Sequence, residues 1–457
     1  MKEKLEEAVN TLRVDYMDIR IEDRHETRIQ YLGKKLEQLG ETDSFGGTVR
    51  VRDKGRWGIV SFTDMDDFDK SIFLAAREAK TGKSEDYKLA ESPAVEDYVK
   101  KNISADSDPI NINIDEKEKL VRDYNDMILS SDRINNSSVF YKDVDVKKYF
   151  VSSEGTYVEQ DRTECGMSIQ AIAKDGTNVQ KYADSLGGID GFGVVKNLDD
   201  KIKEISEKAA SLLDAKPAKG GHFDCLIDQR MAGTFIHEAF GHMSESDHIC
   251  GNDKLQKEMV LGRKIGAEAL TAIDDGTMEH GMGTNKYDDE GVLCQKNYLI
   301  TDGKISGRLH SKDTAGKMGE KVSGNARAID FKFEPIVRMT NTYIEPRDWT
   351  FEEMLAGIEN GYYVKGSQGG MTNLDVFTFS AGEAYKVENG KLGEKVRDLT
   401  LTGNIFDTMN RIDAIGNDLI MYNSGGSGGC GKAGQAPLPI GRGGPHLVIR
   451  DVIVGGR

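Results

Sequence analysis

Proline is scarce in this chain, with 8 among 457 residues, and there are only 2 tryptophans and 5 cysteines. So little proline excludes a Pro-rich linker or a low-complexity chain. Five cysteines, odd in number and scattered, argue against a disulfide framework and for a reducing compartment. No apolar run approaches the ~18–20 residues that a membrane-spanning helix needs. The first residues, MKEKLEEAVNTLRV, follow a charged amphipathic helix pattern with Leu5, Ala8, Val9 and Leu12 on one stripe. They lack the apolar core of a secretory signal, so the sequence reads as cytoplasmic and free of membrane. Positive charge is also in deficit. Lys plus Arg number 61 against 77 Asp plus Glu, for a net charge of −16. That balance opposes non-specific binding to nucleic acid, which rests on phosphate neutralisation, and no nucleic-acid partner is expected.

Glycine, by contrast, is abundant at 51 residues, well above the ~7% of average proteins. Glycine without proline suggests many turns and close backbone approaches. Its densest stretch is Asn423–Arg457, with 11 in 35 residues.

The pattern along the chain predicts an α+β fold in two domains, residues 1–218 and 219–457. In the first, strands are expected at Tyr16–Glu22, Thr27–Leu32, Gly47–Arg52 and Gly58–Phe62, then a helix at Asp64–Lys80. Residues 83–113 are polar, contain Pro93 and Pro109, and read as a long connection. A helix at Ile114–Ser131 precedes a meander of Ser138–Asp143, Val146–Ser152, Tyr157–Glu164 and Met167–Lys174, and a helix at Leu198–Leu213 follows. AKPAKGG at 215–221 is the best domain boundary, because proline and paired glycines stop the helix. The second domain is strand-rich, with turn sequences at Asp302-Gly303 and Glu388-Asn389-Gly390 and a helix at Trp349–Asn360 opened by Asp348 or Thr350. The helix after the strand Phe223–Asp228 carries the most informative motif.

That motif is His237-Glu238-Ala239-Phe240-Gly241-His242. Two histidines with a glutamate after the first form a zinc-hydrolase signature when both rings share a helix face. Histidines four apart lie about 40° apart on a regular helix, whereas these, five apart, lie about 140° apart. Convergence on one ion therefore needs a modified helix. Either a π-bulge brings i and i+5 together, or the helix ends at Gly241 and His242 turns back from a loop. A third ligand is also needed. Cys430, in Ser424-Gly425-Gly426-Ser427-Gly428-Gly429-Cys430-Gly431-Lys432, is the notable candidate, since glycines permit close approach and Lys432 would favour a thiolate. The alternative is an incidental cysteine in a flexible loop. His248 and Cys250 lie close after the motif and could be ligands, although isolated His and Cys are more often structural, and Cys165, Cys225 and Cys294 read as buried small hydrophobes. His446, Tyr385 and the amides of 425–431 are candidate oxyanion donors.

HEAFGH, together with RMTNTY (338–343), FSAGEAYKVENGK (379–391), IGNDL (415–419) and GGCGKAGQAPLPIGRGGP (428–445), resembles the TldD/PmbA family, specifically its metal-bearing TldD branch. The resemblance spans essentially the whole chain. It implies a zinc metallopeptidase with an N-terminal α/β domain and a C-terminal strand-rich domain that carries the metal. It maps the metal ligands onto His237, His242 and Cys430, with one Zn2+ per active subunit, and the general base onto Glu238. It further implies small or unfolded peptide substrates bound by strand addition. The expected assembly is a homodimer, or a heterodimer with a PmbA-type subunit. Two other functions compete: a thiol hydrolase with Cys430 as nucleophile, and a non-catalytic peptide-binding or regulatory subunit.

Overall fold

The computed structural model describes residues 1–373 and 375–456. The architecture is α+β and rich in strands. In the N-terminal half, α1 (Lys2–Val9) is followed by β1 (Tyr16–Leu32), β2 (Lys35–Asp53) and β3 (Arg56–Phe62), then by α2 (Phe68–Ala79). After β4 (Glu96–Val99) and α3 (Ile114–Leu129) come β5 (Ile134–Ser152), β6 (Tyr157–Asp175), β7 (Asn178–Gly188) and α4 (Asp199–Leu212). These strands form one sheet in the order β3-β2-β1-β5-β6-β4, with β7 also paired to β6. All pairs are antiparallel except β4 with β6.

The strands are longer than the sequence suggests. Tyr16–Leu32 is one strand rather than two, and so are Ile134–Ser152 and Tyr157–Asp175. The polar residues 23–26, which look like a break, lie in mid-strand, exposed or half-buried, and pair with both neighbouring strands. Met17, Ile19 and Ile21 of β1 pack with Leu5, Phe62 and Ile72 under α1 and α2. Further along the same strand Ile29 and Tyr31 join Val121, Tyr141 and Ile205 under α3 and α4. The intervening side chains of β1, Asp18, Arg20 and Glu22, are equally buried, but they face the C-terminal half. Arg20 donates to the carbonyls of Asp330 and Phe333 at 2.9 and 2.8 Å, and Arg50 of β2 pairs with both Asp18 and Glu290. A sheet buried on one face by helices and on the other by a polar interface does not show simple alternation. Residues 83–113 are a connection in which Glu96–Val99 forms a short strand, a feature their polar composition hid.

In the C-terminal half five strands pair in a ring. Asn360–Asn373 pairs with Gly221–Ile227, which pairs with Leu447–Gly455, then Thr400–Asn404, then Val376–Glu388, which returns to Asn360–Asn373. A second sheet runs Lys304–Ile305, Lys296–Thr301, Ala272–Asp275, Asn341–Ile344, Gly441–Gly444 and Ile420–Asn423. Both expected turns are present. Asp302 and Gly303 have φ of 48° and 71°, and Asn389 and Gly390 have 50° and 73°, the left-handed pair that tight hairpins require. The helix expected at Trp349–Asn360 is shorter, Phe351–Ala356, and Thr350 caps it reciprocally with Glu353. No helix among the described residues is long and apolar enough to cross a membrane.

Candidate metal centre

The helix α5 (Gln229–Ile236) leaves the end of the strand Gly221–Ile227. Asp228 fixes its start: one carboxylate oxygen accepts from the amide of Met231 at 2.8 Å, the other from that of Gly366 at 2.8 Å. Phe235 then anchors the helix edge-on against Phe377 and Phe379.

α5 passes directly into one π-helical turn, His237–Gly241, followed by a 3-10 turn, His242–Ser244. The amide of His242 donates to the carbonyl of His237, the i to i+5 bond of a π turn. This widening returns residues five apart to the same side, and the two imidazole centroids lie 5.0 Å apart at 77°. Of the two solutions open to the sequence, the helix takes the π turn and does not end at Gly241. Gly241 is nevertheless required. A Cβ there would lie 2.1 Å from Sδ of Met339, so the glycine serves close packing.

Cys430 arrives from the far end of the chain. It opens a hairpin of Cys430–Lys432 and Gln435–Leu438. Arg338, wholly buried, donates to the carbonyls of Cys430 at 2.9 Å and Gln435 at 3.2 Å, tying both hairpin strands down. Sγ of Cys430 lies 3.3 Å from Nε2 of His242. One donor atom from each of His237, His242 and Cys430 lies within 4.8 Å of the others, and these three form the sole such cluster of potential metal ligands among the described residues. Nδ1 of His237 is buried and has no hydrogen-bond partner among the described residues, an atom whose burial calls for a ligand. Two imidazoles and a thiolate suit zinc.

Neighbouring charges shift both the ring and the thiol. Burial alone would lower the pKa of His242, but Glu245 and Cys430 push it up to about 11. Burial alone would raise the Cys430 thiol; His237 and His242 hold it well below its ordinary value instead. The shift favours the thiolate, the form that ligates metals. Lys432 contributes differently from the sequence expectation. It reaches Oε2 of Glu245 at 3.0 Å, Oδ1 of Asp247 at 2.6 Å and the carbonyl of Val337 at 2.7 Å.

Glu245 is the residue that motif reading missed. It is wholly buried and lies 2.9 Å from Nδ1 of His242. Its i+3 spacing on a helical turn was the available signal. Glu238 is only partly buried, and Thr372 holds its backbone carbonyl at 3.1 Å. His248 is exposed and lies 3.6 Å from Glu245, outside the cluster, and Cys250 is likewise not part of it. All five cysteines are free, and Cys165, Cys225 and Cys294 are buried. Two oxyanion candidates are committed elsewhere: His446 to Tyr363 and Asp418, Tyr385 to Glu383.

Comparison with known proteins identifies the family. The PmbA/TldA metallopeptidase C-terminal domain matches residues 220–456, the central domain 107–216, and domain 1 residues 17–81. A metalloprotease of Synechocystis is 39% identical over 444 residues, covering 97% of this chain and 95% of its own. A zinc metalloprotease TldD homolog of Saccharolobus solfataricus is 30% identical over 355 residues, 76% of this chain and 77% of its own. The crystal structure of TldE from Thermococcus kodakarensis shares the fold, with a TM-score of 0.76 over all of both chains at 17% identity. The chain belongs to the PmbA/TldD metallopeptidase family.

Proposed function

We propose that the protein is a zinc-dependent peptidase acting on small or unfolded peptides, with His237, His242 and Cys430 as metal ligands and Glu238 as general base. The observation that carries this reading is the convergence of three donor atoms within 4.8 Å beside a partly open glutamate. A zinc ion held there would polarise a peptide carbonyl and lower the pKa of water toward ~7. Glu238 adjoins the ligand His237 and, being partly open, can meet that water. It takes the proton as the peptide carbonyl is attacked, then delivers it to the leaving amine. Glu245 keeps the ring of His242 oriented, and Arg338 keeps the Cys430 hairpin seated.

In this reading residues 219–457 are the metallopeptidase domain and 1–218 the N-terminal domain. The peptide adds as a strand, a mode that reads backbone more than side chain. The protein works in the cytoplasm as a homodimer or with a PmbA-type subunit. The family membership and the relatives named metalloproteases support the activity.

The test pairs metal analysis with peptide cleavage. Glu238→Gln should keep one zinc per chain and lose cleavage by about 10²–10⁴-fold, the usual weight of a general base. Cleavage at the parental rate by that variant would overturn the assignment. A thiolate facing two imidazoles is also the pair a thiol hydrolase uses. Cys430, however, is only 4% exposed, and that mechanism leaves Glu238 without a role. Chelation that abolishes cleavage supports the metal; survival of chelation with loss on alkylation supports the thiol.

A further inference from the structure

A cleft of about 490 Å³ lies between the two halves, lined by Gln30 and Gln170 of the N-terminal sheet, Arg230 of α5, Ser427, Gly428 and Arg442. Two of these residues lie close in sequence to the metal cluster. Arg230 lies on the helix that carries His237, and Gly428 stands two residues before Cys430.

Arg442 sits in the strand Gly441–Gly444, whose backbone is held on both sides, paired to Thr342 in parallel and to Tyr422 in antiparallel. Its guanidinium is mostly buried, yet it makes no hydrogen bond or ion pair among the described residues. The nearby acid cannot answer it. Asp184, also lining the cleft, is occupied by Arg230 and by Lys201 at 2.7 Å. Among the lining side chains two arginines stand against one acid. The guanidinium opens onto the cleft without a protein partner among the described residues, and its planar fork matches a carboxylate with two parallel bonds. The remaining lining, amides and hydroxyls, suits a peptide chain.

We infer that this cleft is a carboxylate subsite, with Arg442 as the clamp and Arg230 beside it, and that it selects peptides presenting a carboxylate next to the metal cluster. The inference rests on the peptide-binding reading proposed above. Two groups on a peptide supply this chemistry, the C-terminal carboxylate and an Asp or Glu side chain.

The test uses unlabelled, N-acetylated eight-residue peptides and isothermal titration calorimetry, in the Glu238→Gln background to prevent turnover. Three peptides are compared: one with a free C-terminal acid and no acidic side chain, its C-terminal amide, and the amide with one internal Glu. We expect at least one carboxylate peptide to bind about tenfold or more tightly than the neutral amide, the scale of a charge-assisted pair. The peptide that shows the preference identifies the source of the carboxylate. Adding Arg442→Gln should erase the preference, and an unchanged circular dichroism spectrum and melting temperature report an intact fold. Arg442→Lys should retain part of it. Equal affinity for all three peptides, no binding of any, or a preference that survives Arg442→Gln would overturn the inference. Cleavage by the parental protein separates the two readings. Equal cleavage of all three peptides leaves a peptidase without a carboxylate subsite, and carboxylate-selective binding without cleavage leaves the subsite without the peptidase.

Discussion

Oε2 of Glu245 accepts from Nδ1 of His242 at 2.9 Å, which fixes the ring so that Nε2 faces Sγ of Cys430 at 3.3 Å. A carboxylate behind an imidazole sets both its tautomer and its orientation. The same Oε2 faces Lys432, which follows Cys430 by two residues. One buried carboxylate thus couples the π turn to the hairpin that brings the thiolate.

Replacing Glu245 should therefore weaken metal binding without touching a ligand. Glu245→Gln is expected to lower zinc affinity about 10–100-fold. A competition titration with a coloured chelator measures this. Parental affinity would show that the carboxylate contributes only to folding.

The π turn packs against Met339 with no room to spare. Gly241→Ala puts a methyl 2.1 Å from Sδ of Met339 and should cost about 1–3 kcal/mol, read from urea unfolding. Shortening the neighbour with Met339→Ala in the same chain should recover part of the metal content lost in the single variant. If Gly241→Ala is as stable and as metal-loaded as the parent, the close approach is not a constraint.

Arg338 is wholly buried and bonds to the carbonyls of Cys430 and Gln435. Arg338→Met leaves both carbonyls unanswered and should cost about 2–4 kcal/mol. Zinc content, measured on folded protein, should fall with it. Retention of full zinc in a destabilised variant would separate the hairpin from the metal site.

A second buried carboxylate ties α4 to the C-terminal sheet. Glu383 meets Lys395 at 2.8 Å, Lys208 at 3.5 Å and Lys365 at 3.6 Å. Burial alone would raise its pKa, yet the three lysines lower it below the usual 4.5. A lowered folded-state value means the folded chain binds this proton less readily than the unfolded one. The stabilisation is thus complete above the unfolded pKa of ~4.3 and is lost as pH falls through the folded value. Glu383→Gln should cost about 2 kcal/mol at pH 7, and its deficit against the parent should shrink below pH 4. A deficit independent of pH would assign the effect to packing.

Much of the candidate site was legible from residue types. HEAFGH identified His237, Glu238 and His242, and the glycine-dense tail singled out Cys430. The choice between a π turn and a helix end was not legible, because it depends on how Met339 packs against Gly241. Arg338 looked like one letter of a motif; its role depends on carbonyls 92 and 97 residues away. In the fold, the break expected at residues 23–26 is instead paired on both sides in mid-strand, since a polar, partly exposed stretch resembles a turn until its partner strands are known. The glycine excess also changed meaning. At Gly425 a Cβ would lie 1.8 Å from the carbonyl of Leu186, so the tail is glycine-rich here because backbones pack against one another.

The central claim is that His237, His242 and Cys430 hold one zinc ion. Anomalous diffraction recorded on either side of the zinc edge, from crystals of the purified protein, tests it most directly. The account predicts a single peak within about 2.0–2.3 Å of a nitrogen of each histidine and of Sγ of Cys430. A peak coordinated by other residues, or a zinc-supplemented crystal with no peak at these three, would contradict it.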